Sequence, residues 1–349
     1  MNDLIFLTGM IVILGLLLIW GCIHLPGERW QMLAAIPLQK REDGLWRGVN
    51  LTFYGFFIAT SQFLALCLLL ILLGAAGVSL SGGLVAIAMI LAVCIPAARI
   101  VAILVEKKRH TFTIGGASFV GMLIAPWAIL LAERTVNLVL PCWLPMLPVL
   151  AAMTIAYTMG EGLGRLGCIS FGCCYGKPFK ECSPFLQRLF ARSTFIFQGG
   201  TKKAVYEGQL AGEPLIPIQA ITSILYCLTA TVASFLFLRG HLLAALTLSI
   251  TVSQLWRIFS ETWRADFRGF DRISAYQKMG GVAVLYILII ALLIPAPLAV
   301  PVIGLGLGLL WQPGLLIDLQ LLWLLFFVIF GRSTVTRSTL SFQLVQESL

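Results

Sequence analysis

The residues whose types suit chemistry are charged side chains at the ends of strongly apolar segments. Glu161 and Arg165 end one such segment, and Arg257 and Glu261 end another. Charges inside a membrane are costly, and they mark function more often than charges elsewhere. The spacing i, i+4, i+7 of Arg257, Glu261 and Arg264 predicts that one helical face carries all three side chains.

The arginines outnumber the carboxylates in these segments, and Arg99 adds another guanidinium within a further apolar run. A phosphodiester headgroup neutralises such a surplus through bidentate hydrogen bonds. The alternative is an interhelical ion pair, for instance between Glu161 and Arg257, that only fixes helix packing. For the group as a whole, phosphate binding is the favoured interpretation.

Four of the nine cysteines, Cys168, Cys173, Cys174 and Cys182, lie close together in the sequence. Two of them are adjacent, the spacing is not C-x-x-C, and no histidine lies nearby, so the pattern argues against a tetrahedral zinc site. Neither a metal nor another cofactor is expected. Structural packing, a disulfide on an oxidising face and a thiol activated by a nearby cation all remain open.

The composition indicates which elements position these residues. Hydrophobic residues make up 59% of the 349 and charged residues 11%, whereas soluble domains carry about 25% charged residues. The chain is therefore predicted to be all-α, a polytopic integral membrane protein with eight or nine transmembrane helices around a lipid-facing cavity. The spans are expected at 4–24, 51–75, 84–105, 117–132, 143–163, 218–238, 242–262 and 282–303, with a weaker ninth at 315–330.

Polar connections divide this chain into parts. Residues 1–46 are expected to hold an extra N-terminal transmembrane helix and a segment along the lipid interface. The membrane domain covers 47–300, with a small head outside the bilayer at 165–215. A C-terminal hydrophobic stretch and tail fill 301–349.

The loops that follow odd-numbered spans share one face and carry most of the lysines and arginines, including Arg41, Lys177 and Lys202. The positive-inside rule makes this face cytoplasmic. The net charge of +9 is therefore attributed to topology or to anionic lipid, and no nucleic-acid partner is expected.

Several of these residues resemble motifs of the bacterial prolipoprotein diacylglyceryl transferases. That family carries Gly-Arg-x-Gly-Asn-Phe-x-Asn-x-Glu-x-x-Gly, in which Gly164, Arg165 and Gly167 match, while both asparagines and the glutamate are absent here. Phe53-Tyr54-Gly55 is similar to the family's Trp-Tyr-Gly. Arg99 resembles an arginine in the family's next span.

Further motifs follow in the family's order. Gly115-Gly116-Ala117-Ser118-Phe119-Val120-Gly121 looks like Gly-Gly-x-x-x-His-Gly, with valine in place of the histidine. Pro217-Ile218-Gln219 resembles part of His-Pro-x-Gln-x-Tyr-Glu. The run from Arg257 to Arg264 resembles Arg-x-x-x-Glu-x-x-Arg.

The resemblance implies a transferase of lipoprotein biosynthesis in the bacterial inner membrane. It would move a diacylglyceryl group from phosphatidylglycerol, or a similar anionic phospholipid, to the lipobox cysteine thiol of a prolipoprotein. It also implies an extracytoplasmic active face, opposite to the face that the charge count favours. Two alternatives are a non-catalytic descendant that binds or moves anionic lipid and a membrane thiol-redox protein.

The resemblance and the chemistry of the step together assign roles. Arg165 and Arg257 are expected to hold the phosphate, with Arg99 in support. The candidates for the base that takes the acceptor's proton are Glu261, Glu161 and Tyr54. The full set is catalytic Arg165, Arg257, Glu261 and Tyr54, with substrate-binding Arg99, Glu161, Gly115, Gly116, Gly164, Gly167, Gln219 and Arg264.

Overall fold

The computed structural model describes residues 2–106, 113–266, 273–295 and 299–348. Within these ranges, nine helices are long and apolar enough to cross a membrane, which confirms the predicted all-α polytopic class. In chain order, the helices are α1 (Asn2–His24), α2 (Phe53–Ala75), α3 (Leu80–Val101), α4 (Ile114–Val136), α5 (Met146–Phe171), α6 (Pro184–Phe190), α7 (Lys203–Tyr206), α8 (Ile218–Leu238), α9 (Leu242–Ser260), α10 (Ala275–Leu293), α11 (Ile303–Leu310) and α12 (Pro313–Gly331).

Two small antiparallel sheets accompany the helices, and the sequence did not predict them. Their orders are β1-β2-β5 and β3-β4. The first sheet includes the segment expected to lie along the lipid interface. There β1 and β2 pair as an antiparallel hairpin, and this pairing satisfies their backbone hydrogen-bonding groups. The strands are β1 (Met32–Lys40), β2 (Trp46–Thr52), β3 (Phe195–Ile196), β4 (Pro214–Leu215) and β5 (Arg332–Leu340).

The pairing of β2 with β5 is consistent with nine spans among the described residues. Strand β2 directly precedes α2, and β5 directly follows α12. Strands in one sheet lie on one side of the membrane, so an even number of crossings must separate them. The candidate spans from α2 to α12 number eight, because α11, with 8 residues, extends only about 12 Å. Together with α1, this gives nine.

Two helices differ from the predicted spans. Helix α5 continues to Phe171, so Arg165 lies within it and the segment that follows the helix begins at Gly172. Helix α10 begins at Ala275, because Ser274 and Gln277 form a capping box in which each side chain bonds the other's backbone N–H. This cap satisfies two amide groups that would otherwise lack partners and sets the start of the helix.

Helix α5 is the most buried of the nine candidate spans. In its most apolar window 78% of residues are buried, against 11% in α12. Its glycines allow close contact with both neighbours. A Cβ at Gly160 would lie 2.9 Å from the Cβ of Ala65 on α2, and one at Gly162 would lie 2.9 Å from the Cβ of Tyr226 on α8. Small residues of this kind let membrane helices approach closely, and α5 is thereby fixed between α2 and α8.

Helix α9 is held against α8 by two hydrogen bonds between them. The Tyr226 hydroxyl donates to the Ser253 carbonyl at 2.5 Å, and Trp256 Nε1 donates to Thr222 Oγ1 at 2.9 Å. Since α8 also packs on α5, these bonds bring the last turn of α9 to the polar face of α5.

The segment between α5 and α8 forms a small head that Lys202 fastens to the membrane helices. Its side chain is fully buried, and Nζ donates to the carbonyls of Leu25 at 3.0 Å and Ser170 at 2.6 Å. Burial lowers the pKa of Lys202 to about 8, partly offset by the charge of Glu28. An isolated antiparallel β-bridge between Gly176 and Arg264 also attaches the head to the segment that follows α9.

Candidate functional site

A buried polar cluster joins α5 to α9, and we call Tyr157, Glu161, Arg165 and Arg257 the Glu161 cluster. Glu161 Oε1 accepts hydrogen bonds from Arg165 Nη2 at 2.6 Å and from Arg257 Nη2 at 2.5 Å. The Tyr157 hydroxyl donates to Glu161 Oε2. The Glu161 side chain is only 6% exposed, so a single carboxylate links two guanidinium groups away from bulk water.

The helix period explains why these side chains meet. Tyr157, Glu161 and Arg165 follow one another at intervals of four residues, which places them on one face of α5. Arg257 comes from the last turn of α9, and its Nη1 donates to Ser118 Oγ on α4 at 3.1 Å. A Cβ at Gly115 would lie 3.2 Å from Arg257 Nη1, so this glycine leaves space for the guanidinium. Three helices therefore position one arginine.

The Glu161 cluster carries a surplus positive charge. Two guanidinium groups face one carboxylate, so the net charge is +1. In addition, Arg165 Nε is buried and lacks a hydrogen-bond partner among the described residues. A buried donor without a partner is costly, and an anionic ligand would satisfy it.

A small cavity adjoins Arg165. About 10 Å³ of it is open to the centre of a water molecule, which is room for about one water. The side-chain oxygen of Gln219 is also buried without a partner among the described residues, while its amide nitrogen donates to the Cys173 carbonyl at 2.9 Å. The described lining comprises Arg165, Cys174, Ile218, Gln219, Thr222, Ser260 and Arg264.

The prediction that Arg257, Glu261 and Arg264 share one helical face is wrong. Helix α9 ends at Ser260, a single 3₁₀ turn covers Glu261–Trp263, and Arg264 is extended with φ −90° and ψ 149°. Arg264 still reaches the cavity from this extended segment. Its Nε and Nη2 donate to the two carboxylate oxygens of Asp266, each at 2.7 Å.

Three thiols meet at the end of α5, and we call Cys168, Cys173 and Cys174 the cysteine cluster. Their Sγ atoms all lie within 4.8 Å of one another, and none forms a disulfide. Gly172 ends the helix with φ 72°, and Cys174 also has a positive φ of 56°. This left-handed residue lets adjacent side chains turn to the same side. The three thiols therefore lie close enough to share one ion despite their sequence spacing, and the expected absence of a metal stays a prediction.

The electrostatic surroundings of the thiols beyond the helix end differ. Hydrogen bonding with Cys168 and Cys173, aided by the charges of Arg264 and Arg165, lowers the pKa of Cys174 well below its usual value. Hydrogen bonding to Cys168 and Cys174, with burial, raises the pKa of Cys173. In the reduced cluster, Cys174 is the thiol that ionises most readily.

Three other predicted site residues, Tyr54, Arg99 and Glu261, are not members of the Glu161 cluster. Tyr54 packs on Phe171 with ring centroids 5.6 Å apart, next to the cysteine cluster. Arg99 is exposed in the last turn of α3. Glu261 accepts a hydrogen bond from Ser274 Oγ and is absent from the described cavity lining. Their roles stay predictions.

The remaining predicted glycines have packing contacts. A Cβ at Gly116 would lie 2.5 Å from Val101, and one at Gly167 would lie 3.1 Å from the Tyr54 carbonyl. One at Gly164 would lie 3.5 Å from Ser61 Oγ. These positions bring helices together, and their predicted contact with substrate stays a prediction.

Sequence reasoning did not single out three polar residues that complete the site. Tyr157 and Ser118 hold Glu161 and Arg257, and Asp266 pairs with Arg264. The position of Tyr157 four residues before Glu161 was a usable signal. Ser118 gave no such signal, because its contact with Arg257 spans 139 residues.

The fold and this site define a polytopic membrane protein with a buried, positively charged polar centre. Residues 45–311 match the family model described as prolipoprotein diacylglyceryl transferase. Since this match covers most of the chain, the protein belongs to that family, and it is a transferase of lipoprotein biosynthesis. Neither the curated proteins nor the solved structures give a significant match.

Proposed function

We propose that the protein transfers the diacylglyceryl group of phosphatidylglycerol to the lipobox cysteine thiol of a prolipoprotein, with the Glu161 cluster holding the phosphate. The observation that carries this proposal is the pair of buried arginines that share one carboxylate. Their surplus charge is suited to a phosphodiester, which is a monoanion. Arginine also matches phosphate geometry through two parallel hydrogen bonds.

The reaction is a displacement at the glycerol carbon that bears the phosphate. The acceptor sulfur forms a bond to this carbon, the carbon–oxygen bond breaks, and its electron pair leaves with glycerol phosphate. The acceptor thiol loses its proton, and negative charge accumulates on the leaving phosphate. Fixed cations beside this oxygen stabilise the transition state more than the ground state, which is the requirement for catalysis.

The two arginines have different parts in this proposal. Arg165 lines the cavity and has a donor without a described partner, so it contacts the phosphate directly. Arg257 is held by Ser118 and Glu161 and contributes mainly its charge and orientation. Glu161 already accepts from three donors, which makes it a positioning residue for both arginines and a poor proton acceptor.

Arg264 and Gln219 support the donor site as further residues of the cavity lining. The free oxygen of Gln219 is suited to a hydroxyl of the glycerol headgroup. Headgroups without a hydrogen-bond donor would leave this oxygen unpaired, which disfavours them. This is a physical reason to propose phosphatidylglycerol over anionic phospholipids whose headgroups lack a donor.

The proposal includes a location in the bacterial inner membrane with the site on the extracytoplasmic face. The resemblance supports this face, and an anionic headgroup attracts the same basic residues that the positive-inside rule counts. Cys182 lies in the head and is partly exposed. Labelling it with a membrane-impermeant maleimide in oriented vesicles, from one side at a time, tests the face.

The function is tested by release of glycerol phosphate from labelled phosphatidylglycerol in vesicles, with a lipobox peptide as acceptor. We expect wild-type protein to release label and to add a diacylglyceryl mass to the peptide. Arg165→Lys keeps the charge but loses the planar fork, and about a hundredfold loss is expected, comparable to loss of a transition-state donor.

A matched control is Arg188→Lys, because Arg188 is exposed in the head. It should keep wild-type turnover at equal protein level. No peptide modification by wild-type protein, or full turnover by Arg165→Lys, would contradict the proposal.

A further inference from the structure

The cysteine cluster has the dimensions of a metal site. A zinc–sulfur bond of about 2.3 Å in tetrahedral geometry puts the sulfur atoms about 3.8 Å apart. The three Sγ atoms lie within 4.8 Å of one another, so small side-chain movements let all three reach a single ion. The donors are sulfur only, which favours a soft metal ion over magnesium or calcium.

The backbone holds this arrangement in place. Cys173 N donates to the Cys168 carbonyl at 3.1 Å, which keeps the chain folded back on the end of α5. Gln219 fixes the Cys173 carbonyl from α8. Cys174 has a left-handed φ of 56°, which is unfavourable for a residue with a side chain. The loop that carries the thiols is therefore fixed by its own backbone hydrogen bond to the end of α5 and by Gln219 from α8.

The cluster opens into the cavity already described. Cys174 lines that cavity together with Arg165 and Arg264. Three thiolates and a divalent ion carry a net charge of −1, which these cations offset. The cavity beside Cys174 has space for about one water. A zinc ion with three protein ligands commonly keeps a fourth position open for such a ligand.

The described lining of the same cavity offers no imidazole or carboxylate as a general base. None of its described lining residues is a histidine, aspartate or glutamate. The thiol of the acceptor nevertheless has to lose its proton before it attacks carbon. Coordination to a metal ion deprotonates a thiol directly, so a bound ion would supply this activation.

We propose that Cys168, Cys173 and Cys174 bind one zinc ion, and that its fourth coordination position takes the thiol of the acceptor cysteine. The second half rests on the proposed function, while the metal site stands without it. The acceptor thiol releases its proton to solvent as it coordinates. Its sulfur then forms the bond to the glycerol carbon, and the carbon–oxygen electron pair leaves with glycerol phosphate beside Arg165.

The metal site is tested without any activity measurement. Reduced full-length protein in detergent is dialysed against Zn²⁺ or Co²⁺ and analysed for bound metal. We expect one equivalent per chain and, with Co²⁺, a thiolate-to-metal charge-transfer absorption. Cys173→Ser and Cys174→Ser should lose both. The control Cys182→Ser should keep them, since the Cys182 thiol donates to the Pro178 carbonyl at 3.3 Å outside the cluster.

A second measurement uses folded wild-type protein, in case the serine variants fail to fold. Zn²⁺ should protect Cys168, Cys173 and Cys174 from maleimide, as located by mass spectrometry, and should leave Cys182 reactive. A chelator should reverse the protection. Less than half an equivalent of metal in reduced protein, or unchanged reactivity of the three thiols, overturns the metal site.

The fourth position is tested with cobalt-loaded protein and a lipobox peptide. A cysteine peptide should change the cobalt spectrum, and a peptide with serine in its place should not. An unchanged spectrum, or full transfer by metal-free protein, overturns acceptor coordination. Stoichiometric metal with no transfer under any metal condition would instead refute the proposed function and leave the metal site intact.

Discussion

The substitution Glu161→Gln isolates the electrostatic core of the site, because it removes one charge and keeps the side-chain shape. Glu161 Oε1 lies 2.6 Å from Arg165 Nη2 and 2.5 Å from Arg257 Nη2. The two nitrogens are therefore at most 5.1 Å apart, the sum of these distances. At an effective dielectric constant of about 20, two unit charges at about 5 Å repel by about 3 kcal/mol.

The carboxylate more than offsets this repulsion, because each of its two contacts is about half as long and each attraction is therefore about twice as large. Its removal leaves two buried like charges, and removal of one partner of a buried pair costs about 3 to 5 kcal/mol. Tyr157→Phe is the matched control, because it removes one hydrogen bond to Glu161 and one from Arg257 and leaves every charge in place. Its expected cost is about 1 to 2 kcal/mol.

Both variants are compared with wild-type protein by unfolding in detergent, with and without added phosphatidylglycerol. Glu161→Gln should be the least stable, and phosphatidylglycerol should stabilise it more than it stabilises wild type, because the two arginines then lack their carboxylate. Phosphatidylcholine should give little stabilisation. Equal stability of Glu161→Gln and wild type, or equal effects of the two lipids, would refute the assigned charge balance.

Three further predictions concern activity, pH and packing. Glu261→Gln should lower label release by about tenfold or less, because Glu261 is absent from the described cavity lining; a hundredfold loss would establish it as the base. The free energy of unfolding should rise between about pH 8 and pH 10, as measured by thermal unfolding. In this window Lys202 is protonated in the unfolded chain and largely neutral in the folded chain, where its pKa is about 8, and stability rises with pH wherever the unfolded state binds more protons. Lys202→Met should lack this rise and lose about 1 to 3 kcal/mol at neutral pH; an identical pH profile would contradict this. Gly162→Ala should lower the free energy of unfolding by about 1 to 3 kcal/mol, because the added methyl group would meet Tyr226. The control Gly281→Ala, with open space around it, should cause no measurable loss of stability.

The sequence was sufficient for the fold class because the apolar runs are long and carry few charges. It was insufficient where distant contacts decide the structure. The predicted span ended at residue 163, yet α5 continues to Phe171 through glycines on which neighbouring helices pack closely, and tertiary contacts override weak intrinsic propensity. Pairing of β2 with β5 involves residues such as Asn50 and Thr336 that are 286 positions apart, which no local pattern indicates.

The charged residues of the site could be predicted only in part. Their rarity in apolar segments identified Glu161, Arg165 and Arg257, and the ion pair considered as an alternative between Glu161 and Arg257 does form. A helical period assumed across the end of α9 misplaced Arg264. Spacing rules hold only while the helix lasts, and here the helix ends at Ser260.

The cysteine cluster shows why residue spacing alone is a weak guide to chemistry near a helix end. Successive side chains point apart in a strand and about 100° apart in a helix, so adjacent cysteines rarely share a ligand in regular structure. A left-handed residue at Cys174 breaks that rule. In the proposed reaction, sulfur must reach the carbon next to the phosphate, so thiol activation and phosphate binding have to adjoin. Cys174 and Arg165 line the same small cavity, so the proposed thiol site and the proposed phosphate site adjoin.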